Sequence, residues 1–157
     1  MPHPPLTVTV SARPDLVEMT LAGIIDETAD LSPAVAPPGA PVIIDAGAVE
    51  NINSLGVRGW VHFIDALCAQ SPTVILRRLS PVLVIQASMI SNFLGTAAVE
   101  SFFTPWFCNQ CDNDYSELYA IDAVIPQAVT CPRCQSAMVL DGDRDSYLGF
   151  RQNYIAA

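Results

Sequence analysis

Two short cysteine pairs set the tightest limit on how this chain can fold. Cys108 and Cys111 form one CxxC, Cys131 and Cys134 a second, and nineteen residues lie between them. A CxxC turn aims two thiolates at one point, and two such turns complete a tetrahedron. The four cysteines are therefore expected to bind one structural zinc ion. The chain must double back between the knuckles, which predicts a hairpin over Tyr115 to Val129. A catalytic zinc keeps one position open, usually beside His or carboxylate ligands. Here four thiolates fill the sphere, and the two histidines, His3 and His62, lie far from the knuckles in sequence. The fifth cysteine, Cys68, falls on the apolar side of a predicted helix and reads as a small buried hydrophobe.

The rest of the chain supplies enough material for a real core. Of its 157 residues 51% are hydrophobic and only 15% charged, which suits one ordinary domain with a small appendage. Seven arginines and no lysine face sixteen carboxylates, for a formal net charge of -9. That field repels phosphate backbones, so no direct nucleic-acid contact is expected, and a protein partner suits the charge better. Met1 to Pro5 has neither a basic nor an apolar leader segment, and CxxC pairs suit a reducing compartment, so a cytoplasmic location is expected. The charge-free run between Arg78 and Glu100 is long enough to span a bilayer. Its Pro81, Gln86, Ser88, Asn92 and Gly95, together with helical spacing of its apolar residues, predict a buried helix of a water-soluble domain instead.

Along the chain, Leu6–Ser11 and Leu16–Leu21 alternate as two strands of a hairpin around Arg13-Pro14-Asp15. Thr28 to Pro41, with four prolines, reads as loop. Val42 to Asp45 reads as a central strand buried on both faces, followed by a loop over Ala46–Ile52. Asn53 or Ser54 then caps a helix whose apolar face is Val57, Trp60, Val61, Ile64, Leu67 and Cys68. Ser71-Pro72 ends it, and Thr73–Leu76 is a further buried strand. Ser80 and Pro81 open a second helix with a stripe of Val82, Ile85, Met89 and Phe93, stopped by Gly95. Ala98–Phe107 has the composition of one strand running into Cys108. Met138 to Phe150 is expected to add another strand, with Asp141, Asp143 and Asp145 in a solvated turn. The order predicts an α/β fold: a mixed β-sheet with helices packed against it, plus a small β zinc-ribbon module docked on it.

No phosphate-binding glycine loop and no nucleophile with a base partner is present, so no catalytic residue is assigned and an enzyme is not expected. Asp45, at the end of a central strand, is placed where ligands bind in open α/β sheets, or else caps the loop after it.

The segments Gly23-Ile24-Ile25-Asp26, Val42-Ile43-Ile44-Asp45 and Asn53-Ser54-Leu55-Gly56-Val57 resemble, in order and spacing, landmarks of the STAS domain, a family that includes the anti-sigma factor antagonists of bacteria. The resemblance covers about Leu6 to Phe103 and divides the chain into a STAS-like domain over 1–104 and a four-cysteine zinc ribbon over 105–157. It implies a bacterial signalling module that binds a regulatory kinase or another signalling protein. It places the partner surface at the helix opening, on Asn53, Ser54, Leu55, Arg58 and His62. The family carries D-S-S-G at this turn and is phosphorylated on its second serine. Aligned on Gly56, that serine falls on Leu55, which has no hydroxyl. Ser54 is left as a substitute phosphate acceptor, or as a helix N-cap. The apolar helix Pro81 to Leu94 is a second candidate interface. The alternative function is a transcription-associated zinc-ribbon factor acting through a polymerase or sigma factor.

Overall fold

The computed structural model describes residues 3–32 and 39–154. The loop expected over Thr28 to Pro41 lies partly outside them. Strands β1 (Thr7–Arg13) and β2 (Leu16–Ile25) form the expected antiparallel hairpin, with Arg13 opposite Leu16 and Thr7 opposite Ala22. The chain before β1 folds back along the end of β2, where the Ile24 amide donates to the Pro4 carbonyl at 3.2 Å. Gly23 makes this possible: its φ is +107°, and a Cβ there would lie 2.4 Å from the Pro5 carbonyl oxygen.

β3 (Val42–Ile52) pairs parallel with β2, and β4 (Val74–Arg77) parallel with β3. β3 runs seven residues past Asp45, through the segment expected to be loop. Ala, Gly, Glu and Asn are poor strand formers on their own. Pairing with β2 overrides that preference, and two register shifts, each with one extra residue in β3, accommodate the extra length. The strands are also covered on one face only. Val42 and Ile44 are buried while Ile43 and Asp45 are half-exposed, so the expected burial on both faces is corrected. The covered face carries Val17, Met19, Leu21 and Ile25 of β2 and Val74 and Leu76 of β4.

α1 (Ser54–Gln70) connects β3 to β4. It buries Trp60, Ile64 and Leu67 as the spacing predicts, and Phe63 besides; Val57, Val61 and Cys68 are half-buried at its margin. Trp60 stacks on Phe93 at 5.6 Å, and its indole N–H donates to the Phe93 carbonyl at 3.0 Å. The helix ends at Ser71, whose amide closes onto the Leu67 carbonyl. α2 (Pro81–Met89) begins at Ser80-Pro81 as expected, but it ends at Met89, short of Gly95. It also turns the other way. Leu83, Val84 and Ala87 are buried, and Ile85 and Met89 of the expected stripe face solvent.

Ala98–Phe107 is two strands, not one. β5 (Ala98–Val99) adds in parallel to β4 and closes the first sheet, in order β1-β2-β3-β4-β5. After Glu100 the chain changes sheets. β6 (Ser101–Phe107) becomes an inner strand of a second, antiparallel sheet with β7 (Asp114–Ala120), β8 (Val129–Thr130) and β9 (Ala137–Leu140), ordered β7-β6-β9-β8. β7 and β8 therefore do not pair with each other as the expected hairpin would require: β7 pairs with β6, and β8 with β9. The tail is not a long strand either. It turns at Asp141-Gly142 into α3 (Arg144–Leu148) and a 3-10 turn (Gly149–Asn153). Asp143 caps α3 by accepting from the Ser146 amide at 3.0 Å, which is stronger local chemistry than the solvated turn expected there.

The fold is α/β, with a mixed sheet, helices packed on it and a second antiparallel sheet. One hydrophobic core takes in residues from both sheets. Phe150 meets Phe102 edge-on at 5.3 Å, and Ser88 of α2 donates to the Tyr147 carbonyl of α3 at 3.0 Å. No helix among the described residues is long and apolar enough to cross a membrane.

Candidate metal centre and the opening of α1

The two knuckles are built alike. The amide of Cys108 donates to the Asn113 carbonyl at 2.9 Å, and the amide of Cys131 donates to the Ser136 carbonyl at 2.7 Å. Each turn is closed by a residue in the left-handed region directly after its second cysteine: Asp112 at φ 55° and Gln135 at φ 69°. Such a conformation is costly for residues with a Cβ, and it bends the chain sharply enough to bring both thiols of a pair to one side.

The four sulfurs converge. Cys108 Sγ is 3.5 Å from Cys134 Sγ, and Cys111 Sγ is 3.6 Å from Cys131 Sγ. All four lie within 4.8 Å of one another. A tetrahedron with bonds of ~2.3 Å to a central ion has edges of about 3.8 Å, so the donor set can hold one metal ion. Sγ–Sγ separations this long leave the cysteines as free thiols, not disulfides. Cys108 and Cys131 are buried, Cys111 is half-buried and Cys134 reaches the surface.

Their surroundings favour thiolates unequally. Burial pushes the Cys131 thiol up, but the backbone amides of Cys134 and Arg133 outweigh it and bring it down to about 6. The Arg133 amide donates to Cys131 Sγ at 3.4 Å, and the Asn113 side-chain amide approaches the same sulfur at 3.8 Å. The Ser136 hydroxyl and amide lower Cys134. Desolvation and the neighbouring thiols push Cys111 up to about 12. A bound divalent cation is the charge that would let all four ionise together. Asn113 and Ser136 are second contributors that the sequence did not single out. Their shared place, two residues after the closing cysteine of each knuckle, is the signal that marks them.

The second group of expected site residues sits elsewhere, at the opening of α1. Asn53, not Ser54, is the N-cap: its Oδ1 accepts from the Gly56 amide at 2.8 Å. Ser54 is the first helical residue, so its expected capping role is corrected. The Asn53 side-chain amide donates to Glu27 Oε2 at 2.8 Å, and its backbone amide donates to the Ile25 carbonyl. The end of β2 and the start of α1 are thus tied together. Asn53, Ser54, Leu55, Arg58 and His62 are all exposed. Leu55, Arg58 and His62, spaced i, i+3 and i+7, share one side of the helix. Asp45 lies within β3, where its carboxylate accepts from the Gly47 amide and pairs with Arg78 at 3.1 Å. It is occupied by structure and brings no second chemical group into a cleft.

No protein-family model matches the chain, and no curated protein matches it.

Proposed function

We propose that the chain is a non-enzymatic interaction module of bacterial signalling, a STAS-like domain carrying a structural zinc ribbon, which works in the cytoplasm by binding a regulatory kinase or another signalling protein through the opening of α1. The observation that carries this reading is Leu55. It is 57% exposed at the first turn of a helix, beside Arg58 and His62, on a turn fixed by the Asn53 cap and its bond to Glu27. A large apolar side chain held in solvent on a rigid frame is the make-up of an interface anchor. The end of β2 meets the turn that holds Asn53, whose backbone amide donates to the Ile25 carbonyl at 3.2 Å. Zinc is the ion proposed for the four thiolates, since four sulfurs in a closed tetrahedron suit it and leave no open position for chemistry.

Affinity capture from the protein's own cells tests the reading. The intact chain should retain an ATP-binding protein that Leu55→Glu with Arg58→Glu loses. Captured proteins that bind the double variant equally well overturn it. A kinase partner supplied with ATP should also label Ser54 if the helix opening is phosphorylated, and Ser54→Ala should abolish that label.

A further inference from the structure

We propose that the groove between α2 and the start of α3 docks a segment of a partner protein that carries a large apolar side chain next to arginine or lysine. The groove has a volume of about 210 Å³ and is lined by Ile85, Ser88 and Met89 on one side and by Asp141, Asp143 and Tyr147 on the other. Met89 is 67% exposed and Ile85 44%. α2 carries no charge, and Ile85 and Met89 are its two exposed residues.

The walls are fixed. The Ser88 hydroxyl bonds to the Val84 and Tyr147 carbonyls, both at 3.0 Å, which ties α2 to α3 across the floor. A preformed groove has little ordering cost to meet on binding. It is also smaller than the roughly 300–1,000 Å³ of pockets that enclose free small molecules, and its open shape suits side chains presented by a chain.

Charge selects the occupant. Asp141 and Asp143 stand exposed at its edge, and neither forms an ion pair among the described residues. The Ser146 hydroxyl and amide hold Asp143 below its usual range, so it is ionised at neutral pH. Arg144, next in sequence, does not line the groove and donates to the Ile125 and Pro126 carbonyls. An apolar slot with an acidic rim attracts an apolar anchor flanked by a cation. A second copy of this chain, at a net charge of -9, meets like charge instead. The site is separate from the opening of α1 and does not depend on the reading given for it.

The test selects a random peptide library on the immobilised, metal-loaded full chain and measures the selected peptides as fluorescein-labelled probes by anisotropy. Enriched peptides should pair Leu, Met or Phe with Arg or Lys. Met89→Glu should weaken them about tenfold or more. Asp141→Asn should weaken them a few-fold at low salt and much less at high salt. Leu55→Glu should change nothing. All these positions are exposed, and matching thermal melts show that the variants fold. Failure to enrich any peptide, enrichment of acidic peptides, or binding indifferent to Met89→Glu overturns the proposal. So does a concentration-dependent dimer abolished by Met89→Glu, which would make a second copy the occupant. A large gain in affinity on deleting residues 155–157 would make the chain's own end the occupant, with the same consequence.

Discussion

Gly56 stands so close to Ile25 that a Cβ at position 56 would lie 1.9 Å from the Ile25 carbonyl oxygen and 2.6 Å from its carbon. Both are backbone atoms in the last residue of β2, so neither can swing aside. The glycine is required by space, not by its own conformation, since it sits within the first turn of α1. Gly56→Ala should cost about 3 kcal/mol despite alanine's better helix propensity, because the helix must back away from the sheet. Gly59, one turn on, has nothing within 4 Å of a built Cβ. Gly59→Ala should be neutral or stabilising by ~0.5–1 kcal/mol. Urea unfolding of the two variants reads the contrast directly, and equal midpoints would refute the close approach.

The Asn53 cap gives a second contrast. Asn53→Ala removes the acceptor of the Gly56 amide and the donor to Glu27. It should cost about 1 kcal/mol. Ser54→Ala should cost almost nothing, because Ser54 caps nothing. Asn53→Asp keeps an acceptor for the helix but sets a carboxylate against Glu27, so it should fall between the two and recover with added salt. Thermal melts at two ionic strengths distinguish the three.

How much of this was readable beforehand depended on the range of the interaction. The cysteine cluster was legible because ligand spacing is a local property of each knuckle. Trp60, Ile64 and Leu67 were legible because one helix period separates core from solvent. The face of α2 was not. Val82, Leu83, Val84, Ile85 and Ala87 spread around the helix with no charged residue to mark a solvent side, and its neighbours β3, β6 and α3 decide which face is buried. The extension of β3 through Ala46–Ile52 was hidden for the same reason, since pairing with β2 overrides weak strand formers. The break at Glu100 was hidden because composition is alike on both sides of it; Glu100 bonds to Arg77 at 2.6 Å and stays with the first sheet while Ser101 enters the second. Leu55 was singled out by resemblance alone, and Asn113 and Ser136 only come forward once both knuckles are folded.

Tyr147 predicts how the fold responds to alkali. Its hydroxyl donates to the Phe103 carbonyl, and burial pushes the phenol well above its ordinary 10. A raised acid contributes stability that is fully present below its unfolded value and is lost as pH rises through the folded one. The chain should therefore hold its stability up to about pH 10 and then lose up to ~1.4 kcal/mol per pH unit from this group. Tyr119, pushed up to about 12 by burial and then by Glu117, adds to the same decline. Tyr147→Phe should be about 1 kcal/mol less stable at neutral pH, for the lost hydrogen bond. Its stability should fall less steeply above pH 10. Urea midpoints between pH 7 and 11 measure both effects, and parallel slopes for the two proteins would rule out Tyr147 as the titrating group.

The knuckles make the last prediction, which concerns where the chain comes apart when the metal is taken away. Protein purified without chelators should carry one zinc ion per chain, held by thiolates whose binding in comparable small sites contributes ~10 kcal/mol or more at neutral pH. Cys131→Ser should lose it, because that buried sulfur also receives the Arg133 amide and faces the Asn113 side chain. Cys68→Ser, on α1, should retain it. The loosening should stay local. Residues 108–136 are shaped by the knuckles, whereas α3 and the turn after it, though Arg144 and Arg151 reach carbonyls at 123–126, are also anchored outside that span by Tyr147 on Ser88 and by Phe150 on Phe102. Hydrogen exchange in Cys131→Ser, or after a strong chelator, should therefore speed up across 108–136 and leave β2, β3, β4 and residues 144–154 protected. A chain that purifies with four freely titrating thiols, no metal and the same protection across 108–136 would show that the cysteines pack without an ion, and the candidate centre would then be no more than a buried thiol cluster.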